Sequence, residues 1–184
     1  MLKHLLKRWH GLLAFILTTV TLTGCSSDLT EYRTTSPKFD LFDYFQGELK
    51  AWGMVQDYTG KQTRRFEVQI KGTVIGNTLT LDEAFAYDDG ETDTRVWTIT
   101  RSSDGKYIGQ ADDIIGEASG EEQGNALRWR YDFRLKTADY DIDVHFDDWM
   151  YRQDQHHVFN VSSISKWGIE VGKVTLFFTK LDVE

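Results

Sequence analysis

From residue 48 onward the chain alternates between apolar and polar side chains. The clearest run is Leu127-Arg128-Trp129-Arg130-Tyr131-Asp132-Phe133-Arg134-Leu135, followed by Ala138-Asp139-Tyr140-Asp141-Ile142-Asp143-Val144-His145-Phe146. A period of two places one set of side chains on a single face of an extended strand. Turn signals punctuate the pattern at Thr59-Gly60, Gly76-Asn77, Asp88-Asp89-Gly90, Asp104-Gly105 and across residues 120–124. Strands are predicted at 48–57, 63–75, 78–87, 94–102, 106–112, 114–120, 125–135, 138–151, 156–164 and 170–181. No long stretch has a helical period, but Phe39, Leu41, Phe42, Tyr44 and Phe45 predict a short helical turn that plugs or caps the domain. Many short strands with one apolar face would leave two exposed edges in an open sheet. Closure removes those edges, so the pattern predicts an all-β fold, an antiparallel up-and-down β-barrel of about 8–10 strands. A two-sheet sandwich is the alternative.

The connection at Lys136-Thr137 is short, so the two clearest strands should form a hairpin. Their polar faces then bring Arg128, Arg130 and Arg134 near Asp139, Asp141 and Asp143. Opposite charges across a strand pair help fix register. This ladder reads more simply as a solvated exterior than as a docking stripe.

The N-terminus follows a different pattern. Lys3, Lys7 and Arg8 precede an apolar run from Leu12 to Leu17, with no acidic residue nearby. That is the order of a secretory signal, and the run is too short for a bilayer core, which takes about 20 apolar residues. Leu22-Thr23-Gly24-Cys25 resembles the lipobox of bacterial lipoproteins. In that family the cysteine is lipidated and the peptide is cut before it. Residues 1–24 are therefore expected as a cleaved signal peptide, 25–38 as a lipidated polar tether, and 39–184 as a single barrel domain. Cys25 is the only cysteine, so no internal disulfide can form. Ser26, where Asp would favour inner-membrane retention, implies an outer-membrane lipoprotein facing the periplasm.

Charge narrows the partners. Removing Lys3, Lys7 and Arg8 from the 21 basic residues leaves 18 against 29 acidic ones and takes the formal charge from -8 to -11. Such a domain is a poor match for nucleic acid. The expected partners are a membrane, through the N-terminal lipid, and envelope proteins.

Several side chains stand out on the inferred apolar faces. Trp97, Trp129, Tyr131, Phe133 and Tyr140 are candidates to line a cavity, and Phe146 shares their face. Glu83 has the parity of Leu81 and Phe85, and Arg95 that of Trp97, so both charges point inward if those faces do. A buried charge needs a partner. The pair reads first as an internal ion pair at the rim and second as an anchor for a ligand's polar head. Asp147 and Asp148 are adjacent and point to opposite faces, so one is expected to turn inward near the barrel mouth. The remaining acidic pairs, Asp88-Asp89 and Asp112-Asp113, read as turn and cap residues. No Gly-x-Ser-x-Gly elbow, P-loop, dinucleotide fingerprint or zinc spacing is present, so no cofactor, metal or catalytic residue is assigned.

Taken together, the strand motifs resemble the DUF3833 family of proteobacterial lipoproteins. The residues that carry the resemblance are Phe66-Glu67-Val68-Gln69-Ile70, the run from Leu79 to Glu91, Arg95-Val96-Trp97, Gly124-Asn125-Ala126 with Trp129 and Tyr131, the run from Asp147 to Tyr151, and Lys166-Trp167-Gly168-Ile169 with Gly172. The resemblance implies a periplasm-facing lipoprotein with a lipocalin-like barrel, encoded near lipid-modifying enzymes. Gly47 and Trp52 depart from the Gly-x-Trp spacing of a lipocalin first strand. Three functions follow in order of expectation. The first is a module binding a hydrophobic or amphipathic ligand, a fatty acyl or phospholipid-like molecule. The second is a structural or interaction lipoprotein with a filled barrel. The third is a lipid-modifying enzyme using Glu83 with Asp147 or Asp148.

Overall fold

The structure is a computed structural model and describes residues 27–136 and 140–181. The expected signal peptide and Cys25 lie outside the described residues, as do Thr137, Ala138 and Asp139. Ten strands follow one another: β1 (Gly47–Asp57), β2 (Gln62–Ile75), β3 (Thr78–Tyr87), β4 (Thr92–Arg101), β5 (Tyr107–Gln110), β6 (Ile114–Gln123), β7 (Ala126–Lys136), β8 (Asp141–Arg152), β9 (His157–Lys166) and β10 (Ile169–Lys180). Each pairs antiparallel with the next, and β10 returns to β1 with Leu49 opposite Lys180 and Asp57 opposite Gly172. The result is a closed up-and-down barrel, not a sandwich. Among the described residues no helix is long and apolar enough to cross a membrane.

Alternation has the predicted consequence. Leu127, Trp129 and Tyr131 of β7 are buried in the lumen, while Arg128 and Arg134 face outward into ion pairs. One end of the barrel, the base, is sealed. Helix α1 (Leu41–Phe45) buries Leu41, Phe42, Tyr44 and Phe45 there, and Asp40 caps it by accepting from the Phe42 and Asp43 amides at 3.0 and 3.1 Å. This is the plug that the apolar cluster at 39–45 predicts. The Tyr44 hydroxyl donates to the His156 carbonyl at 2.9 Å and lies 3.3 Å from that of Phe178. Gly72 lets the plug approach, because a Cβ there would sit 1.6 Å from the Phe45 carbonyl oxygen. At the other end, the mouth, lie the hairpins that follow β1, β3, β5, β7 and β9.

Three local expectations are corrected. Gly120, read as part of a turn, lies inside β6. It and Gly109 of β5 leave room for the Trp129 indole, since a Cβ at either would fall 2.3–2.4 Å from that ring. The β7–β8 connection is longer than Lys136-Thr137, because β8 begins at Asp141. Register therefore sets Arg134 opposite Asp143 but Arg130 opposite Asp147. Of the expected ladder, among the described residues only Arg134–Asp143 forms, with Nε to Oδ1 at 2.9 Å. Arg128 instead grips Asp147 through two bonds of 2.8 and 2.6 Å.

The third correction concerns the polar segment expected as a flexible tether. Its residues 28–35 pack on the base half of the outer wall. A 3-10 turn (Leu29–Tyr32) sets the Tyr32 ring 5.8 Å from Trp149 and 5.7 Å from Tyr151. The Asn125 amide donates to the Thr35 hydroxyl at 2.9 Å. The Tyr32 ring and the Thr35 hydroxyl together hold the segment against the wall.

Candidate ligand cavity

Strand parity delivers aromatic side chains to the lumen from opposite walls. Trp97 of β4 meets Trp129 and Tyr131 of β7 edge to face, with ring centroids 5.7 and 5.4 Å apart. Tyr131 stacks on Phe146 of β8 at 5.0 Å, and Phe133 meets the same ring edge-on at 5.7 Å. These rings do not fill the barrel. A cavity of about 530 Å³ runs from Leu41 and Phe45 of the plug to Arg64, Tyr87 and Leu135 near the mouth. Its size falls in the range of small-molecule sites, about 300–1,000 Å³. Its wall is mostly apolar, which is the usual character of such sites.

A few polar groups interrupt this wall. Glu83 of β3 stands directly opposite Arg95 of β4, and both line the cavity. Sequence parity paired them, and the structure redirects the hydrogen bonds. Arg95 reaches Oδ2 of Asp113, at the β5–β6 turn, through Nε at 2.7 Å and Nη2 at 2.6 Å. The Arg95 guanidinium also lies 5.3 Å from the Phe133 ring centroid and 5.6 Å from that of Phe85. Glu83 makes no hydrogen bond to a described residue and feels Arg95 only through its charge.

Asp148 of β8 is the inward member of its pair, 5 % exposed. It stands opposite Ser162 of β9, and Asn160 of the same strand lines the cavity two positions away. Asp147 points outward to Arg128. Asp148 lies at mid-depth between Phe146 and Met150, not at the mouth.

Burial sets the protonation behaviour. Loss of solvent pushes Glu83 up to about 7, against the pull of Arg95 and with help from Asp113 and Asp148. Asp148 is likewise pushed up to about 7 by burial, opposed by Ser162 and Arg95 and reinforced by Asp147. Burial works against the charge on Arg95, but Glu83, Tyr131 and Asp113 outweigh it and raise its pKa. Asp148 Oδ1, Asp113 Oδ1 and Asn160 Oδ1 are buried without a hydrogen-bond partner. Buried polar atoms are normally satisfied, and two of these acceptors, on Asp148 and Asn160, belong to residues that line the cavity.

Of the residues singled out from sequence, Trp97, Trp129, Tyr131, Phe133, Glu83, Arg95 and Asp148 meet at this cavity. Tyr140 does not. It precedes β8 and is 66 % exposed, so correct parity did not bring it into the lumen. Three polar participants were missed. Asp113 was read as a turn residue, and it arrives from a turn, where alternation gives no direction. Asn160 and Ser162 share parity with Val158 and Ile164, and that shared parity was the available signal. Among the described residues no group of three or more His, Cys, Asp or Glu could hold a metal ion.

The outer wall carries an unforeseen feature. Tyr151, Phe159, Phe177 and Trp52 are consecutive cross-strand partners over β8, β9, β10 and β1. Phe159 and Phe177 lie 4.8 Å apart, and Trp52 stacks 6.5 Å from Phe177. Trp52 and Phe159 are 42 % and 43 % exposed, on an exterior expected to be charged.

Comparison with known proteins places the chain. The profile of a family described as "protein of unknown function (DUF3833)" matches residues 19–180. The chain belongs to the DUF3833 family. No curated protein matches this DUF3833 chain. Among solved structures it is similar to the S-type phycobiliprotein lyase CPES from Guillardia theta, at 8 % identity and a TM-score of 0.56, covering 78 % of this chain and 92 % of that one. A redesigned β-barrel, mFAP0, bound to DFHBI, is a looser likeness at 10 % identity and a TM-score of 0.39, covering 74 % and 99 %. At these identities the first likeness speaks to the lipocalin-like fold alone.

Proposed function

We propose that this DUF3833 protein is a binding module that holds one hydrophobic or amphipathic, lipid-like molecule inside its barrel, tethered by lipid on Cys25 to the periplasmic side of the outer membrane. The observation that carries the reading is the cavity of about 530 Å³, walled by aromatic rings and interrupted by Glu83, Arg95 and Asp148. An apolar lumen with few polar groups suits an apolar body and one polar head. The anchoring part rests on the signal pattern and lipobox ending at Cys25. It also suits the geometry. The described chain starts beside the base half of the barrel, where Asp28 feels the charge of Arg128, so an anchor there leaves the mouth facing away from the membrane.

The test is native mass spectrometry of the full chain recovered from its own envelope fraction, followed by uptake measurements on the stripped protein. The expected result is a co-purifying small amphiphile, and 1:1 rebinding that shifts the fluorescence of Trp97 and Trp129. A bare mass with no uptake of offered amines, alcohols, fatty acids or phospholipids overturns the reading.

The row Tyr151–Phe159–Phe177–Trp52 favours a second reading, an envelope interaction protein working through its outer wall. Exposed apolar patches of this kind often mark protein contacts. Crosslinking in cells from this row, with the cavity found empty, would support it over the first.

A further inference from the structure

The polar groups in the lumen are matched to a particular kind of head. Two cations line the cavity, Arg95 and Arg64, and both are answered by the protein's own carboxylates. Arg95 is held by Asp113 through two short bonds. Arg64, near the mouth, is held by Asp89 and Glu91 and lies 3.5 Å from the centre of the Tyr87 ring. Both ion pairs use its Nη2, and its buried Nε has no acceptor among the described residues.

The anions are not answered in this way. Glu83 and Asp148 both line the cavity, and among the described residues no lysine or arginine hydrogen-bonds to either. Asp148 Oδ1 and the neighbouring Asn160 Oδ1 are unpartnered acceptors on residues 5 % and 3 % exposed. A carboxylate or phosphate head entering here would meet Glu83 and Asp148, with the guanidinium of Arg95 already committed to Asp113. A primary ammonium brings three donors and a positive charge, and bonds between charged partners are roughly twice as strong as neutral ones.

Resting on the binding reading above, we infer that the head group this cavity takes is cationic and donor-bearing, a primary ammonium on an apolar chain, seated between Glu83 and Asp148 with Asn160 and Ser162 beside it. An ammonium so placed supplies the donors that the orphaned acceptors lack. The other groups acting on these two carboxyls are Arg95, Asp113 and Tyr131 across the lumen, and Asp147 and His145 on the strand of Asp148. None of them supplies a second free positive charge to the lumen. Because burial keeps Glu83 and Asp148 partly protonated near neutral pH, seating an ammonium must also release protons.

The experiment offers the detergent-free full chain three probes below their aggregation limits: dodecylamine, dodecanol and dodecanoate. Tryptophan fluorescence and calorimetry in two buffers of different ionisation enthalpy report binding at pH 6, 7 and 8. Dodecylamine should bind at least about tenfold more tightly than dodecanoate at pH 8 and lose about tenfold in affinity at pH 6 for each carboxylate that must ionise. Heat at pH 7 should depend on the buffer, showing proton release. Asp148→Asn and Glu83→Gln, checked for native circular dichroism, should each shrink the preference for the amine and flatten its pH profile. The comparison of probes on the unaltered protein stands even if a variant misfolds. Dodecanoate binding as tightly as dodecylamine, or dodecanol matching it at every pH, overturns the cationic head and leaves the binding module intact. Failure of all three probes overturns both.

Discussion

Replacing Asp148 by Asn should stabilise this protein at alkaline pH and do little in acid. Asp148 is 5 % exposed, and burial moves its carboxyl from the ordinary 3.8 up to about 7. A folded-state pKa above the unfolded one means that the folded protein holds its proton more tightly. The stabilisation this provides is complete below about pH 4, declines as pH rises, and is gone above about pH 7. Each pKa unit corresponds to about 1.4 kcal/mol. A shift of about three units therefore makes ionised Asp148 a burden of about 4 kcal/mol, and relaxation and water in the cavity reduce this to about 2–4 kcal/mol. Asn keeps the shape and cannot ionise, so it removes the burden. For a chain of this size the gain at pH 8 is a rise of roughly 5–15 °C in Tm. Urea titrations and thermal melts of both proteins at pH 5, 6, 7 and 8 provide the assay. Surface carboxylates with lowered pKa, such as Asp154 beside His157, pull the opposite way but act equally in both proteins and cancel in the difference. An offset that is the same at pH 5 and pH 8, or a variant less stable at pH 8, would show that the folded protein already satisfies the Asp148 charge, and the burial argument would fail.

Other substitutions probe the packing around the cavity. Gly120→Ala puts a Cβ 2.3 Å from the Trp129 ring and should cost about 1–3 kcal/mol, read by urea melts together with a shift in tryptophan emission. Tyr44→Phe removes the hydroxyl that ties the plug to the His156 carbonyl and should cost about 1–2 kcal/mol, with faster amide exchange in residues 41–45 than elsewhere. Tyr140→Ala should leave probe binding unchanged, since the ring stands outside the lumen; a loss of affinity would place it at the ligand after all.

The legible part of the fold followed from period two, and its limits follow from the same rule. Alternation names a face only while a strand lasts. Trp129, Tyr131 and Phe133 sit well inside β7 and went where parity sent them, whereas Tyr140, one residue before β8, did not. Asp148 was legible because its neighbour Asp147 had to face the other way. Asp113 was not, because its contact with Arg95 joins a turn to a strand 18 positions earlier. Gly120 looked like punctuation because glycine usually is. Its role depends on an indole from another strand, which no local pattern contains. The outer aromatic row escaped notice because Tyr151, Phe159, Phe177 and Trp52 come from four strands and meet only through register, which no local pattern contains. Alternation also predicts a lumen without predicting whether side chains fill it.

The cavity and the charges that line it both fit the proposed binding site. A barrel selected for stability alone would put Leu or Met at positions 83 and 148, close the lumen and gain apolar burial of about 25 cal/mol per Å². This barrel instead has Gly109 and Gly120 where the Trp129 indole packs against β5 and β6. It then faces the space left open with Glu83, Asp148 and Asn160. Such arrangements weaken a fold and recur where a site must meet a ligand. A filled interior would make the two carboxyls an unexplained cost. On the proposed reading an ammonium-headed amphiphile turns both into binding groups, and Asp148→Asn, which should stabilise the protein without ligand at pH 8, should then weaken its hold on the ligand.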